Sequence, residues 1–199
     1  RGIAYAALGQ YERAIQDFDE AISLDPQEAD AYHKRGVANG TLGQYERAIE
    51  DLDEVIRLDP QNAVAYYHRG IAYSAQEEYQ RAIKDLDQAI RLDPQNAVAY
   101  YNIGIAYGRL KQYQRAIENL DQVIKLNPQN AFAFYNRGIA YVALEQYQRA
   151  VEDLDQAIKI DPRNPFSYYN RSVAYGKLGK SNKAQSDLQK AMELGYEPP

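Results

Sequence analysis

The chain contains no cysteine among its 199 residues, so neither disulfide bonds nor thiolate chemistry are available to it. The absence of cysteine does not identify the cell compartment, although the cytoplasm is the favoured expectation. Histidine is scarce as well, being present only as His33 and His68. Because two ligands are too few for a structural zinc site, we expect no metal and no other cofactor.

Long apolar runs and clusters of basic residues are also missing. No apolar stretch approaches the roughly 20 residues that a membrane-spanning helix needs, so a membrane is not expected as a partner. The formal net charge is −5, and acidic and basic residues are interleaved along the chain. Since phosphate binding needs clustered Lys and Arg, the composition argues against DNA or RNA as a partner.

The chain does have a repeat, which is visible in three rows of residues spaced 34 positions apart. The rows consist of Pro26, Pro60, Pro94, Pro128 and Pro162; of Gly2, Gly36, Gly70, Gly104 and Gly138; and of Ala14, Ala48, Ala82, Ala116, Ala150 and Ala184. Such a period predicts one elongated array over residues 1–199 rather than one or two globular domains. When the glycine is placed at position eight, the predicted repeats are 1–28, 29–62, 63–96, 97–130, 131–164 and 165–198.

Each repeat contains two amphipathic helical patterns, which we name helix A and helix B. In the fourth repeat they are expected over residues 97–110 and 112–126. Asparagines stand where the N-caps of the A helices belong, and Asp-Pro or Asn-Pro pairs end the B helices. Because the connections are short, the two helices must be antiparallel, with Gly104 and Ala116 allowing close approach. A single helix pair of this size cannot bury its apolar face, so the pairs are expected to stack.

The pattern resembles that of the tetratricopeptide repeat family over essentially the whole chain. The family's positions are occupied in the third repeat by Tyr66, Arg69, Gly70, Tyr73, Ala82, Leu86, Ala89 and Pro94. The resemblance implies an all-α, right-handed α-solenoid of about six stacked antiparallel helix pairs. It further implies a protein–protein interaction scaffold rather than an enzyme.

Position seven departs from the family's leucine and instead carries arginine in five of the six repeats. These repeats, and no others, also carry aspartate at position 23, namely Arg1 with Asp17, Arg35 with Asp51, Arg69 with Asp85, Arg137 with Asp153 and Arg171 with Asp187. The fourth repeat has Ile103 and Asn119 at these two positions. This covariation predicts an ion pair between helix A and helix B of one repeat; the alternative is an exposed arginine and coincidence.

Helix A carries a second stripe of aromatic, apolar and amide residues that its own helix B cannot cover. In the resembled family, these rows face a concave groove that receives extended peptides or helices. The candidate binding residues are Val64, Tyr67, His68, Val98, Tyr101, Asn102, Arg109, Phe132, Tyr135, Asn136, Phe166, Tyr169, Asn170 and Lys177. Asparagine offers both a donor and an acceptor to a peptide amide, and tyrosine offers rigid contact area. The alternative is that part of the tyrosines, with Ile71 and Ile105, pack neighbouring repeats together.

Other readings of the sequence remain open or are disfavoured. The family's carboxylate clamp uses lysine at position five and asparagine at position nine, and this chain has neither. Carboxylates recur in almost every repeat, whereas catalysis needs one special pair, so no catalytic residue is predicted.

The first repeat lacks its first six positions, which suggests a fragment or a processed piece with an open amino end. That end is a possible homo-oligomer contact, and the chain is alternatively the non-catalytic arm of a larger protein. By contrast, the polar Ser181 and Gln185 make the last repeat a cap.

Overall fold

The computed structural model describes residues 1–197; Pro198, which the repeat pattern assigns to the sixth repeat, and Pro199 lie outside the described residues. Within residues 1–197 the chain forms twelve α-helices and no β-strand. The helices are α1 (Gly2–Ala7), α2 (Tyr11–Leu24), α3 (Ala29–Thr41), α4 (Tyr45–Leu58), α5 (Ala63–Ala75), α6 (Tyr79–Leu92), α7 (Ala97–Arg109), α8 (Tyr113–Leu126), α9 (Ala131–Ala143), α10 (Tyr147–Ile160), α11 (Pro165–Lys177) and α12 (Ser181–Glu193). They form adjacent antiparallel pairs, which confirms the predicted fold class.

The helix bounds agree with the sequence pattern to within a residue or so. In the fourth repeat, Leu110 lies in the turn and Gln112 is the N-cap of α8, so α7 and α8 are each one residue shorter than expected. The backbone of Lys111 has a positive φ of 59°, a conformation that ends a helix. Glycine holds the same place in three other repeats, for example Gly43 with a φ of 75°.

The predicted N-caps of the A helices are confirmed. Asn62 Oδ1 accepts a hydrogen bond from the Ala65 amide at 3.0 Å, and Asn130 Oδ1 accepts one from the Ala133 amide at 3.0 Å. Asn96 and Asn164 make the equivalent bonds. Each cap satisfies an amide that has no partner inside its helix.

The described chain divides into two compact units, one over Arg1–Asn102 and the other from Ile103 onward. The division lies inside α7, and each unit is described by itself. In the first unit α3 packs on α4 and α5 on α6, while in the second α9 packs on α10 and α11 on α12. Consecutive pairs pack as well, through α4 with α5 and α10 with α11.

Small residues set the distance between the two helices of a pair, as the glycine and alanine rows predict. A Cβ atom built on Gly70 would lie 2.8 Å from Leu86 Cγ and 3.2 Å from the Ala82 carbonyl oxygen. The first distance is shorter than a real Cβ contact and the second is tight, so a side chain at Gly70 would force the two helices or Leu86 to shift. Leu86 and Ala82 themselves are fully buried in the core that this approach creates.

The arginines of position seven form the predicted ion pairs and a second set that the sequence analysis missed. Arg69 Nε and Nη2 donate to the Asp85 carboxylate of the same repeat, at 2.6 and 2.8 Å. Its Nη1 donates to Asp53 of the preceding repeat at 2.5 Å. The same three-residue arrangement recurs as Asp19–Arg35–Asp51, Asp121–Arg137–Asp153 and Asp155–Arg171–Asp187. Each arginine therefore joins two consecutive helix pairs within a unit.

Candidate functional site

An apolar row lies exposed on the A helices at the second position of the repeat. It consists of Val64, Val98, Phe132 and Phe166, which are 51%, 56%, 60% and 53% exposed. Each stands at the second residue of its helix, and more than half of its surface is in water. Four large apolar side chains at one repeat position, all more than half exposed, need a reason beyond chance.

Next to this apolar row, the residues at position five contact those at position six of the following repeat. The Asn102 amide lies close enough to the Tyr67 hydroxyl to lower the pKa of that hydroxyl. In the second unit, Asn170 Nδ2 lies 3.5 Å from the Tyr135 hydroxyl oxygen, at the long limit of a hydrogen bond. In the earliest complete repeats two histidines replace this pair, and the rings of His33 and His68 lie 5.2 Å apart between centroids.

The tyrosines of position five are half-buried, neither sealed in the core nor fully exposed. Burial raises the pKa of Tyr67, and the hydrogen bond from Asn102 opposes that shift. Part of each ring is therefore packed within the protein, and part faces solvent.

The asparagine amides make a hydrogen bond within their own helix that the sequence analysis did not anticipate. Asn102 Nδ2 donates to the Val98 carbonyl oxygen at 2.8 Å, and Asn170 Nδ2 donates to the Phe166 carbonyl oxygen at 2.8 Å. Each bond uses one of the two N–H groups of its amide and fixes the side chain beside the apolar row. The amide also carries Oδ1, which is an acceptor.

Two clefts lie beside the candidate residues of the first unit. One, of about 340 Å³, is lined by Tyr67, His68 and Ile71 together with Gly40 and Val37. Gly40, which has no side chain, opens this space. The other cleft, of about 590 Å³, reaches His68 and Val37 from the opposite side and is lined by His33, Ile3 and Phe18.

The two histidines lie side by side, in an environment that keeps them neutral. Burial lowers the pKa of His68 to about 4, and the nearby His33 adds to that shift. Burial also lowers the pKa of His33, against the opposing field of Asp30. His33 Nε2 is buried and accepts no hydrogen bond from any described residue. Residues 1–197 contain no group of three or more His, Cys, Asp or Glu side chains arranged to hold a metal ion.

The remaining candidates, Arg109 and Lys177, lie exposed at the ends of α7 and α11. Their position leaves them accessible to an acidic group of a partner. Among the described helices, none is long and apolar enough to cross a membrane.

Comparison with known protein families decides what kind of repeat this is. A profile described as TPR repeat matches residues 2–43, 41–77 and 72–111. Two further profiles, both described as tetratricopeptide repeat, match residues 103–167 and 154–186. The chain belongs to the tetratricopeptide repeat (TPR) family. A comparison with curated protein sequences finds no match.

Solved TPR structures resemble this TPR chain along most of its length. YrrB, described as a TPR protein with an unusual peptide-binding site, is 25% identical, with a TM-score of 0.79 over 89% of this chain and 92% of its own. MamA is 30% identical, with a TM-score of 0.77 over 80% of this chain and 93% of its own. MamA from Desulfovibrio magneticus RS-1 is 28% identical, with a TM-score of 0.80 over 83% of this chain and 94% of its own.

One residue beside the candidate surface was missed by the sequence analysis. Tyr196 stacks on Tyr169, with ring centroids 4.3 Å apart and an angle of 24° between the ring planes. The ring centroids of Tyr196 and Phe166 lie 5.9 Å apart, and the two ring planes make an angle of 87°, an edge-to-face contact. The available signal was its position, because Tyr196 occupies the place that proline holds in the five preceding repeats.

Proposed function

We propose that this TPR chain is a non-catalytic scaffold that binds an extended peptide or a helix of another protein. The proposed contact surface consists of the apolar row with the tyrosines of position five and the asparagines of position six. Each unit carries its own stretch of this surface, with Val98 and Tyr101 in the first and Phe132 and Asn136 in the second. Arg109 and Lys177 would meet acidic groups of the ligand.

The observation that carries this proposal is the exposure of the apolar row at four successive repeats. Val98 and Phe132 leave more than half of their surface in water although the helices that carry them have well-buried opposite faces. A partner that covered these side chains would gain roughly 25 cal/mol for each Å² of apolar surface removed from water. Resemblance to YrrB, described as having a peptide-binding site, supports the same function.

The surface also has polar groups that suit a peptide backbone. The Oδ1 atoms of Asn102 and Asn170 are fixed in place by the hydrogen bonds that their amide nitrogens donate. A preorganised acceptor costs little side-chain entropy when a ligand N–H binds to it. The apolar row thus supplies affinity, and the asparagine row supplies orientation.

Selection of a displayed random peptide library on the immobilised chain tests this function. We expect enriched peptides to bind with micromolar affinity, and Val98→Ala or Phe132→Ala to weaken them about tenfold, the factor that 1.4 kcal/mol represents. Each substitution lies in a different unit, so the two results report on the two stretches separately. Calorimetric titration of the enriched peptides provides the measurement.

Leu24→Ala is the matched control, because Leu24 is an exposed apolar residue outside the apolar row, at the end of a B helix. It should leave peptide binding unchanged. Enriched peptides that bind all three variants and the wild type equally would show that the apolar row is not the binding surface.

Self-association through the first repeat is a second candidate function, favoured by exposed apolar residues in α1 and directly after it. Ile3 is 60% exposed and Leu8 is 71% exposed. Sedimentation velocity at several concentrations tests this function, with Ile3→Glu as the disruptive variant. A concentration-dependent dimer that Ile3→Glu abolishes would support it, and a monomer at all concentrations would exclude it.

A further inference from the structure

The end of the described chain folds back onto the candidate surface of the last repeat. Gly195 has a φ of 95° and donates its amide to the Met192 carbonyl oxygen at 3.0 Å. The Tyr196 amide donates to the Ala191 carbonyl oxygen at 3.0 Å. This pair of bonds is the Schellman arrangement that ends a helix with a reversal of the chain. The reversal brings Tyr196 back toward α11.

The ring of Tyr196 contacts two aromatic rings in two different orientations. Tyr169 provides a wall parallel to the ring, and Phe166 provides one perpendicular to it. Stacked and edge-to-face contacts are the two geometries that aromatic rings prefer, and here one ring makes both. An aliphatic side chain of similar size would satisfy neither.

This contact is not a by-product of the repeat. In the five earlier repeats the residue at this place is proline and the one before it is Asp or Asn, whereas here they are Tyr196 and Gly195. Phe166 belongs to the exposed apolar row and remains 53% exposed even with Tyr196 against it. The tyrosine therefore lies on the same face that we propose for ligand binding.

We propose that Phe166 and Tyr169 form a subsite for an aromatic side chain of a peptide ligand, and that the chain's own Tyr196 occupies this subsite. The inference rests on the proposed function and names the class of residue that the ligand presents to the last repeat. A ligand with tyrosine or phenylalanine at the corresponding place must displace Tyr196. Binding there is accordingly weaker in the wild-type chain than in a chain without the Tyr196 ring.

The test uses N-acetyl-tyrosinamide as the probe, titrated into the full ¹⁵N-labelled chain and followed through the backbone amide signals of Phe166, Tyr169 and their neighbours. In Tyr196→Ala, we expect saturable shifts of these signals. In the wild type, the same shifts should require about fivefold more probe, the factor that a single aromatic contact contributes. Tyr196→Phe retains the ring and should behave as the wild type.

N-acetyl-leucinamide is the control for aromatic selectivity and should shift these signals in neither chain. The double variant Phe166→Ala with Tyr196→Ala should lose the response to the aromatic probe. If Tyr196→Ala gains no response, Tyr196 is a structural cap of the last helix and the subsite does not exist. This outcome is distinct from a failed peptide selection, because the probe experiment monitors only the last repeat of the full chain and uses no library peptide.

Discussion

Arg69 donates a hydrogen bond to Asp53, a residue of the preceding helix pair, while its other two nitrogens hold Asp85. The two carboxylates differ in exposure: the Asp85 side chain is 6% exposed, and that of Asp53 is 55% exposed. A single side chain thereby stabilises one pair through a buried contact and connects two pairs through a contact at the surface.

Asp85→Asn should therefore destabilise the chain more than Asp53→Asn. Removing the buried charge leaves a partly buried guanidinium without its bidentate partner, which we expect to cost about 2 kcal/mol. Loss of the exposed partner should cost less than about 1 kcal/mol. Urea unfolding followed by circular dichroism measures both. Asp187→Asn and Asp155→Asn around Arg171 form the same comparison in the second unit, and equal costs within each pair would contradict the assignment.

The fourth repeat lacks this ion pair, so the pair can be introduced there by substitution. Ile103 is fully buried, so Ile103→Arg alone should destabilise the chain by about 3 kcal/mol. Adding Asn119→Asp should recover about 1–2 kcal/mol by supplying the carboxylate that the other repeats have. A double-mutant cycle from unfolding free energies measures the coupling. Additive effects of the two changes would show that no ion pair forms.

Two helical glycines should respond to the same substitution with opposite signs. Gly70→Ala places a methyl group 2.8 Å from Leu86 Cγ and should cost about 1–3 kcal/mol, because the pair must separate. Gly108→Ala meets nothing within 4 Å and should stabilise by about 0.5–1 kcal/mol through helix propensity. Thermal unfolding of the two variants against the wild type measures the difference. Destabilisation by Gly108→Ala would contradict the open space at that position.

The buried histidines predict loss of stability in mild acid. His68 has a pKa of about 4 when folded and about 6.5 when unfolded, so the unfolded chain binds a proton that the folded chain does not. The contribution is therefore complete above pH 6.5 and is lost as the pH falls toward 4. At pH 5 we expect a loss of about 1 kcal/mol relative to pH 7, after allowing for the partial exposure of the ring.

His68→Asn is the matched control for this pH dependence, because asparagine stands at the same position in the next three repeats. Denaturant unfolding at pH 7 and pH 5 should show a smaller acid loss in the variant than in the wild type. The same loss in both chains would assign the pH dependence to other groups.

The sequence alone determined the elements that depend on local chemistry. The asparagine caps, such as Asn62, and the small residues at the helix contacts, such as Gly70, follow from hydrogen bonding and size within one repeat. The ion pair of Arg69 with Asp85 was also predictable, because both residue types change together in the repeat with Ile103 and Asn119. In these cases the repeat itself served as the comparison between related sequences.

The contacts between consecutive repeats were decided by the tertiary structure. Whether Asp53 or Asp85 would meet Arg69 depends on the rotation of one helix pair against the next, and the structure places the arginine between both. The same rotation brings the Asn102 amide close to the Tyr67 hydroxyl. Tyr196 belongs to this group too, because its contact with Tyr169 depends on the direction in which the left-handed Gly195 turns the chain. A linear pattern records which residues recur, whereas the packing of one pair on another decides which of them meet.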